Sequence, residues 1–180
     1  MRELSLHILD IIQNSIAAEA SLVEVVIEED LKKNLFSIQV KDNGQGMAAD
    51  QLKTITDPFV TTRQTREVGL GIPLLQKAAE QCAGELKINS IPGEGTVLTV
   101  YFQYDHIDRA PLGRLVETII GLIAVNPAID FIYSYLYNGR VFKLDTREIK
   151  QELGQLAINQ TEILNWLRDY LKEGLKDLRR

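Results

Sequence analysis

The sequence predicts an α+β protein, and three observations predict it. A run with helical periodicity opens the chain at residues 4–18. Alternating apolar and polar runs then come in pairs joined by short turns, 22–28 with 35–41, 85–91 with 96–102, and 129–137 with 140–145. Further helical patterns stand between and after these pairs. The 180 residues suit one large domain, or one domain with a small appendage, and an apolar share of 45% with 25% charged residues is ordinary for a soluble globular chain. A net charge of −5 with no basic run argues against a broad nucleic-acid face. The longest apolar run, near Thr118 to Val125, is too short to span a bilayer, so no membrane partner is expected. No signal peptide is read after Arg2 and Glu3, and the single cysteine, Cys82, cannot form an internal disulfide; both suit a cytoplasmic protein.

In the first helix Glu3, His7, Asp10 and Asn14 fall within an arc of about 60°. Apolar residues flank that arc on both sides (Leu4, Ile11 and Ala18; Leu6 and Ala17), so the helix is expected to be buried with its polar stripe facing a cleft. Asp10 and Asn14, four apart, are neighbours that can orient a water and share a hard cation such as Mg²⁺, or else form a plain solvent stripe. His7 reads as a structural, hydrogen-bonded histidine.

Leu22 to Glu28 and Leu35 to Lys41 read as a strand pair around an Asp30 to Asn34 turn, and the second strand runs directly into Asp42-Asn43-Gly44-Gln45-Gly46-Met47. Glycines at a strand mouth admit a planar ligand, and a buried Asp42 offers an acceptor to an exocyclic amine; the same residues are also ordinary turn chemistry. A short helix is read at Ala48 to Ile55. Thr56 to Val68 follows as a long polar connection anchored by Phe59, in which Thr61, Thr62 and Arg63 suit phosphate oxygens or plain solvent. Gly69-Leu70-Gly71 opens a helix from Ile72 to Ala83, presenting backbone N–H groups at the positive end of its dipole, and Gly84 ends it. No Gly-Lys-Ser/Thr follows, so this is not a P-loop. Strands at Glu85 to Ile91 and Thr96 to Phe102 flank a Pro92-Gly93-Glu94-Gly95 turn.

Taken together, D-I-I-Q-N (10–14), D-N-G-Q-G-M (42–47), D-P-F-V-T-T-R (57–63), G-L-G-I (69–72) and G-E-G-T (93–96) resemble the ATP-binding domain shared by sensor histidine kinases, gyrase, heat-shock chaperones and mismatch-repair ATPases, over residues 1–103. The lid motif looks most like sensor kinases. The resemblance implies a two-layer α/β sandwich, a mixed sheet covered on one face by helices, with a Bergerat-type ATP site between the first helix and a lid. On that pattern Asn14 holds Mg²⁺ and Asp10 stands in the place of the acidic general base. Asp42 binds the adenine amine, Gly44, Gly46 and Met47 line the base, and Thr96 reaches it from the sheet. Phe59 to Val68 is the lid, and Gly69, Leu70 and Gly71 meet the phosphates. Asp10 is one methylene shorter than the usual Glu, which implies slow hydrolysis at best; Ala17 and Glu67 also depart from the pattern.

After a linker at 104–110, residues 111–180 read as a small α-β-β-α-α unit: a helix from Leu112 to Val125, a hairpin turning at Asn138-Gly139, a helix from Thr146 to Leu156, and a final helix to about Leu178 capped by Asn159 or Thr161. Tyr133, Tyr135 and Tyr137 alternate on its first strand and read as a packed sheet face or a partner-facing one. Its two strands need a cover, supplied by its own helices or by docking on the first domain. The function expected is an Mg-ATP-binding regulator that phosphorylates or switches a protein partner. The alternatives are an ATPase switch in which lid closure drives homodimer formation, and a module that binds nucleotide without turnover.

Overall fold

The computed structural model describes residues 3–56 and 71–180. In chain order these form α1 (Leu4–Ala17), β1 (Leu22–Asp30), β2 (Leu35–Asp42), α2 (Ala49–Thr56), α3 (Gly71–Gln81), β3 (Glu85–Ile91) and β4 (Gly95–Gln103). Then come α4 (Leu115–Val125), β5 (Asp130–Tyr137), β6 (Arg140–Asp145), α5 (Thr146–Leu153) and α6 (Thr161–Leu178).

All six strands lie in one sheet, ordered β3-β4-β2-β1-β5-β6. Every neighbouring pair is antiparallel except β1 and β5, which run parallel from Leu22 opposite Asp130 to Glu29 opposite Tyr137. The period-two pattern sets the faces. Val23, Val25 and Ile27 of β1 point the same way as Phe36, Ile38 and Val40 of β2, Leu98, Val100 and Phe102 of β4, and Phe131, Tyr133 and Tyr135 of β5, and all are buried. Helices α1, α3, α4 and α6 pack over that face with Ile8, Ile12, Leu75, Ile123, Leu167 and Leu171. The opposite face stays wet, its polar pairs following the register: Lys41 meets Glu24 at 3.3 Å and Gln39 donates to Thr99 at 3.1 Å. The mixed sheet with helices on one face is the α+β fold the sequence predicts.

The C-terminal hairpin does not form a sheet of its own. It extends the one begun by β1, which is what covers it and places the tyrosine row on the packed face, with Tyr133 and Tyr135 in the core. Residues 104–110 are laced back onto the body: Arg109 lies over the rings of Phe36 and Tyr104, at 4.8 and 5.1 Å. Just beyond, the Pro111 and Leu112 carbonyls accept from the Leu4 and Ser5 N–H groups at 2.9 Å each, so this segment satisfies donors that α1 leaves open at its start.

Local expectations fail in three places. Gly84 does not supply the left-handed turn after α3; Ala83 does, at φ 53°, and Gly84 is needed because a Cβ there would lie 1.8 Å from the Tyr101 carbonyl oxygen. Gln160, not Asn159 or Thr161, stands at the N-cap of α6, and its side chain makes no capping bond. The first helix is not buried all round either, since Leu6, Gln13 and Ala17 face outward. Cys82 is buried in the core, where desolvation pushes its thiol pKa up, as befits a small packing residue. No helix among the described residues is long and apolar enough to cross a membrane.

Candidate functional site

Strand β2 delivers Asp42 to the end of the sheet beside α1, where it is only 8% exposed. A carboxyl group that deep needs hydrogen-bond partners, and it has them. One oxygen accepts from the Ser15 hydroxyl at 2.6 Å and the other from the Gly44 N–H at 2.9 Å. A carboxylate has roughly four acceptor positions, so Asp42 keeps capacity for a further donor. Thr96 of β4 stands directly opposite it, and Ser90 links the Thr96 hydroxyl at 2.8 Å to the Met47 N–H, also at 2.8 Å.

The loop after Asp42 is glycine-rich for steric reasons. A Cβ on Gly44 would come within 2.7 Å of the Ala18 carbonyl oxygen, because the loop crosses the end of α1 there. Gly46 has φ 68°, and a Cβ on it would sit 2.0 Å from the Ile91 carbonyl oxygen. Asn43 fixes the other side by accepting from the Ser21 and Leu22 N–H groups at 2.9 Å each. The result is a floor of backbone and short side chains packed onto the ends of α1 and β3, beside a buried acceptor.

Across this floor lies the inner stripe of α1. Asp10 and Asn14 are half-buried one turn apart, and Asp10 abuts the first residue of α3: a Cβ on Gly71 would lie 3.2 Å from a carboxylate oxygen of Asp10. His7, one turn earlier, is buried, and burial lowers its pKa although Asp10 and a hydrogen bond with the Gly71 backbone oppose the shift. Its Nδ1 finds no partner among the described residues. Neutral imidazole at this position fits the structural role read from the sequence.

Of the residues singled out in the sequence, Asp10, Asn14, Asp42, Gly44, Gly46, Met47, Gly71 and Thr96 are described; contacts join Asp42 to Gly44, Met47 to Thr96 through Ser90, and Asp10 to Gly71. Phe59, Thr61, Thr62, Arg63, Val68, Gly69 and Leu70 lie outside the described residues. Glu3 does not join the stripe facing the cleft; its carboxylate turns to Ser5 and the Arg114 N–H at the far end of α1. Sequence reasoning missed Ser15, the side chain that orients Asp42. The signal was a small hydroxyl inside a helix whose other inward positions, Ile8, Ile11 and Ile12, are large and apolar. It also missed Gly95, at φ 114°, where a Cβ would meet the Asp42 carbonyl oxygen at 2.0 Å.

Known proteins share part of this sequence and the fold. The family described as histidine kinase-, DNA gyrase B-, and HSP90-like ATPase matches residues 2–106. An uncharacterized sensor-like histidine kinase of Rhizobium meliloti is 37% identical over 86 residues, covering 45% of this chain and 16% of the relative. The sensor histidine kinase ZraS of Salmonella typhimurium is 42% identical over 64 residues, covering 36% of this chain and 14% of that one. The chain thus matches only a fraction of the length of these relatives. In structure, the MutL ATPase domain of Aquifex aeolicus, solved with ADP, superposes with a TM-score of 0.52 at 16% identity over 98% of this chain and 70% of that one. That span takes in β5, β6 and the helices after them, so the C-terminal segment lies within the shared fold. On the strength of the match over residues 2–106 and of the fold, the chain belongs to the histidine kinase-, DNA gyrase B- and HSP90-like ATPase family.

Proposed function

We propose that this chain binds ATP with Mg²⁺ between α1, the β2–α2 loop and the start of α3, and works as a regulatory protein that phosphorylates or switches a protein partner. What supports this reading is one convergence. Asp42, a buried carboxylate with acceptor capacity to spare, lies where the Gly44 and Gly46 loop packs on the ends of α1 and β3, and Asp10, on the same helix as the Ser15 that holds Asp42, abuts the first residue of α3. An adenine amine needs an acceptor, and Asp42 offers one with capacity left after its bonds from Ser15 and Gly44.

In this reading Asp42 takes the adenine amine, Gly44, Gly46 and Met47 line the base, and Thr96 acts through its bond to Ser90. Asn14 holds the Mg²⁺, a cation satisfied by one or two protein oxygens. Gly69, Leu70 and Gly71 offer backbone to the phosphates at the positive end of α3, and Phe59 to Val68 supplies the lid, with Thr61, Thr62 and Arg63 toward phosphate. Bound Mg-ATP brings a transferable γ-phosphoryl group. Asp10 is the base that takes the proton from an attacking hydroxyl or water.

Titration calorimetry with ATP and MgCl₂ tests the binding half. A saturable heat, abolished by Asp42→Ala and retained by Asp10→Ala, is the expected result. Absence of both heat and thermal shift at millimolar ATP refutes it. Labelled ATP then separates the outcomes of turnover: label on an added partner marks a kinase, and free phosphate that falls in Asp10→Ala marks an ATPase.

A further inference from the structure

The groove between α5 and the start of α6 has no part in the nucleotide site. Its floor is apolar, built from Ile149 and Leu153 four apart on α5 and from Ile163 and Trp166 three apart on α6, and it encloses a volume of about 560 Å³. Trp166 is 55% exposed, which is high for the largest apolar side chain in the protein. Its indole is nonetheless fixed. It stacks on Tyr170 with ring centroids 5.3 Å apart and planes at 11°, and Tyr170 in turn packs on Phe142 at 5.2 Å. A rigid, exposed aromatic ledge beside an apolar trough is the anatomy of an interface core, where ordering the anchor costs little on binding.

The rim carries one sign of charge. Glu148, Glu152 and Glu162 line the same groove, and none of the three forms an ion pair among the described residues. The basic residues of α5 cannot neutralise them, because Arg147 is held by Asp145 at 2.7 Å and Lys150 by Asp130 at 2.7 Å. Three unpaired carboxylates around an apolar floor select the occupant. A second copy of this chain would bring acid against acid, and an anionic nucleic acid or lipid surface would be repelled.

We propose that the α5–α6 groove is a docking site for a protein partner's amphipathic helix, whose apolar residues at i, i+3, i+4 and i+7 fill the trough while flanking Lys or Arg residues meet Glu148, Glu152 and Glu162. The proposal deepens the partner half of the function above and is independent of the nucleotide half. Strands β1, β5 and β6 separate the groove from Asp42, so a helix bound here leaves the nucleotide region open.

Trp166 is the single tryptophan, so its emission reports occupancy directly. The probes are three helix-forming peptides of about 18 residues without aromatic residues, long enough to form several turns. One has leucines at the anchor spacing and lysines elsewhere, the second has glutamates for the lysines, and the third has alanines for the leucines. The expected result is a saturable blue shift with the Leu/Lys peptide and an affinity at least about tenfold above that of either control. In Glu148→Lys/Glu152→Lys/Glu162→Lys the preference should invert toward the glutamate peptide, with circular dichroism and melting confirming the fold. If that variant does not fold, Glu152→Gln and Glu162→Gln are each expected to weaken the lysine peptide about threefold. The proposal is overturned by no saturable shift, by either control peptide binding as tightly as the Leu/Lys peptide, by a lysine preference that survives charge reversal, or by a shift that tracks protein concentration without peptide, the mark of self-association. Nucleotide titration of the same sample reads the other half of the function separately.

Discussion

Replacing Ser15 with Ala removes one oxygen atom and, with it, the 2.6 Å hydrogen bond that holds Asp42. Both partners are buried. A hydrogen bond to an ionised group contributes about 1.5–3 kcal/mol net. Asp42 keeps its bond from the Gly44 N–H, so the lower part of that range applies, about 1.5–2 kcal/mol. For a domain of this size each kcal/mol lowers the melting midpoint by about 2–4 °C, giving a drop of about 3–8 °C by calorimetry. A double-mutant cycle with Asp42→Asn identifies the cause: the two effects should fall short of additive by about 1 kcal/mol, because either change alone removes the hydroxyl-to-carboxylate bond, the carboxamide leaving at most a weaker neutral one. ATP affinity should fall by about three- to tenfold as the carboxylate loses its orientation. A midpoint unchanged to within about 1 °C, or strict additivity with Asp42→Asn, would refute the claim that Ser15 positions Asp42.

Other perturbations test other parts of the same argument. Gly46→Ala combines a left-handed φ with a Cβ 2.0 Å from backbone and should lose more than about 2 kcal/mol in urea unfolding, while Gly93→Ala, at φ 81° in open space, should lose only about 1 kcal/mol. His7 is held neutral by burial, so the unfolded chain binds more protons than the folded one as pH falls below about 6.5; stability should decline there, and His7→Gln should flatten that part of a melting-versus-pH curve. Arg179→Ala strips the cation that meets buried Glu29 at 2.7 Å and reaches the Tyr135 hydroxyl at 3.3 Å. Breaking a fully buried pair costs about 3–5 kcal/mol, and because Arg179 itself reaches solvent the loss in equilibrium unfolding should be nearer about 2 kcal/mol. Glu29→Gln in the Arg179→Ala background should recover part of it.

Local patterns carried most of the element order. The strand ending in Asp42, the glycines behind it and the helix bearing Asp10 and Asn14 were readable because each depends on residues a few positions apart. What brings them together was not readable from spacing; the five motifs in order suggested it through resemblance. The parallel pairing of β1 with β5 was equally hidden, since nothing local in Leu22 to Asp30 specifies a partner as distant as Asp130 to Tyr137. Glycine was the residue most easily misread. Gly84 looked like a helix stop, yet its position is dictated by the Tyr101 backbone passing beside it, a constraint visible only in three dimensions. Glu3 failed for a related reason: helical spacing put it in line with His7 and Asp10, but the segment around Gly113 and Arg114 captured it.

The late arrival of β5 also bears on synthesis at the ribosome. Leu22 emerges roughly a hundred residues before its partner Asp130, which at typical elongation rates leaves that edge of the nascent sheet bare for about 5–20 s. A valine-rich edge left open that long invites pairing with neighbouring chains. Glu24, Glu28 and Asp30, interleaved with Val23, Val25 and Ile27, give the bare strand a repulsive charge, so the same alternation that sorts core from solvent in the finished protein also guards the unfinished one.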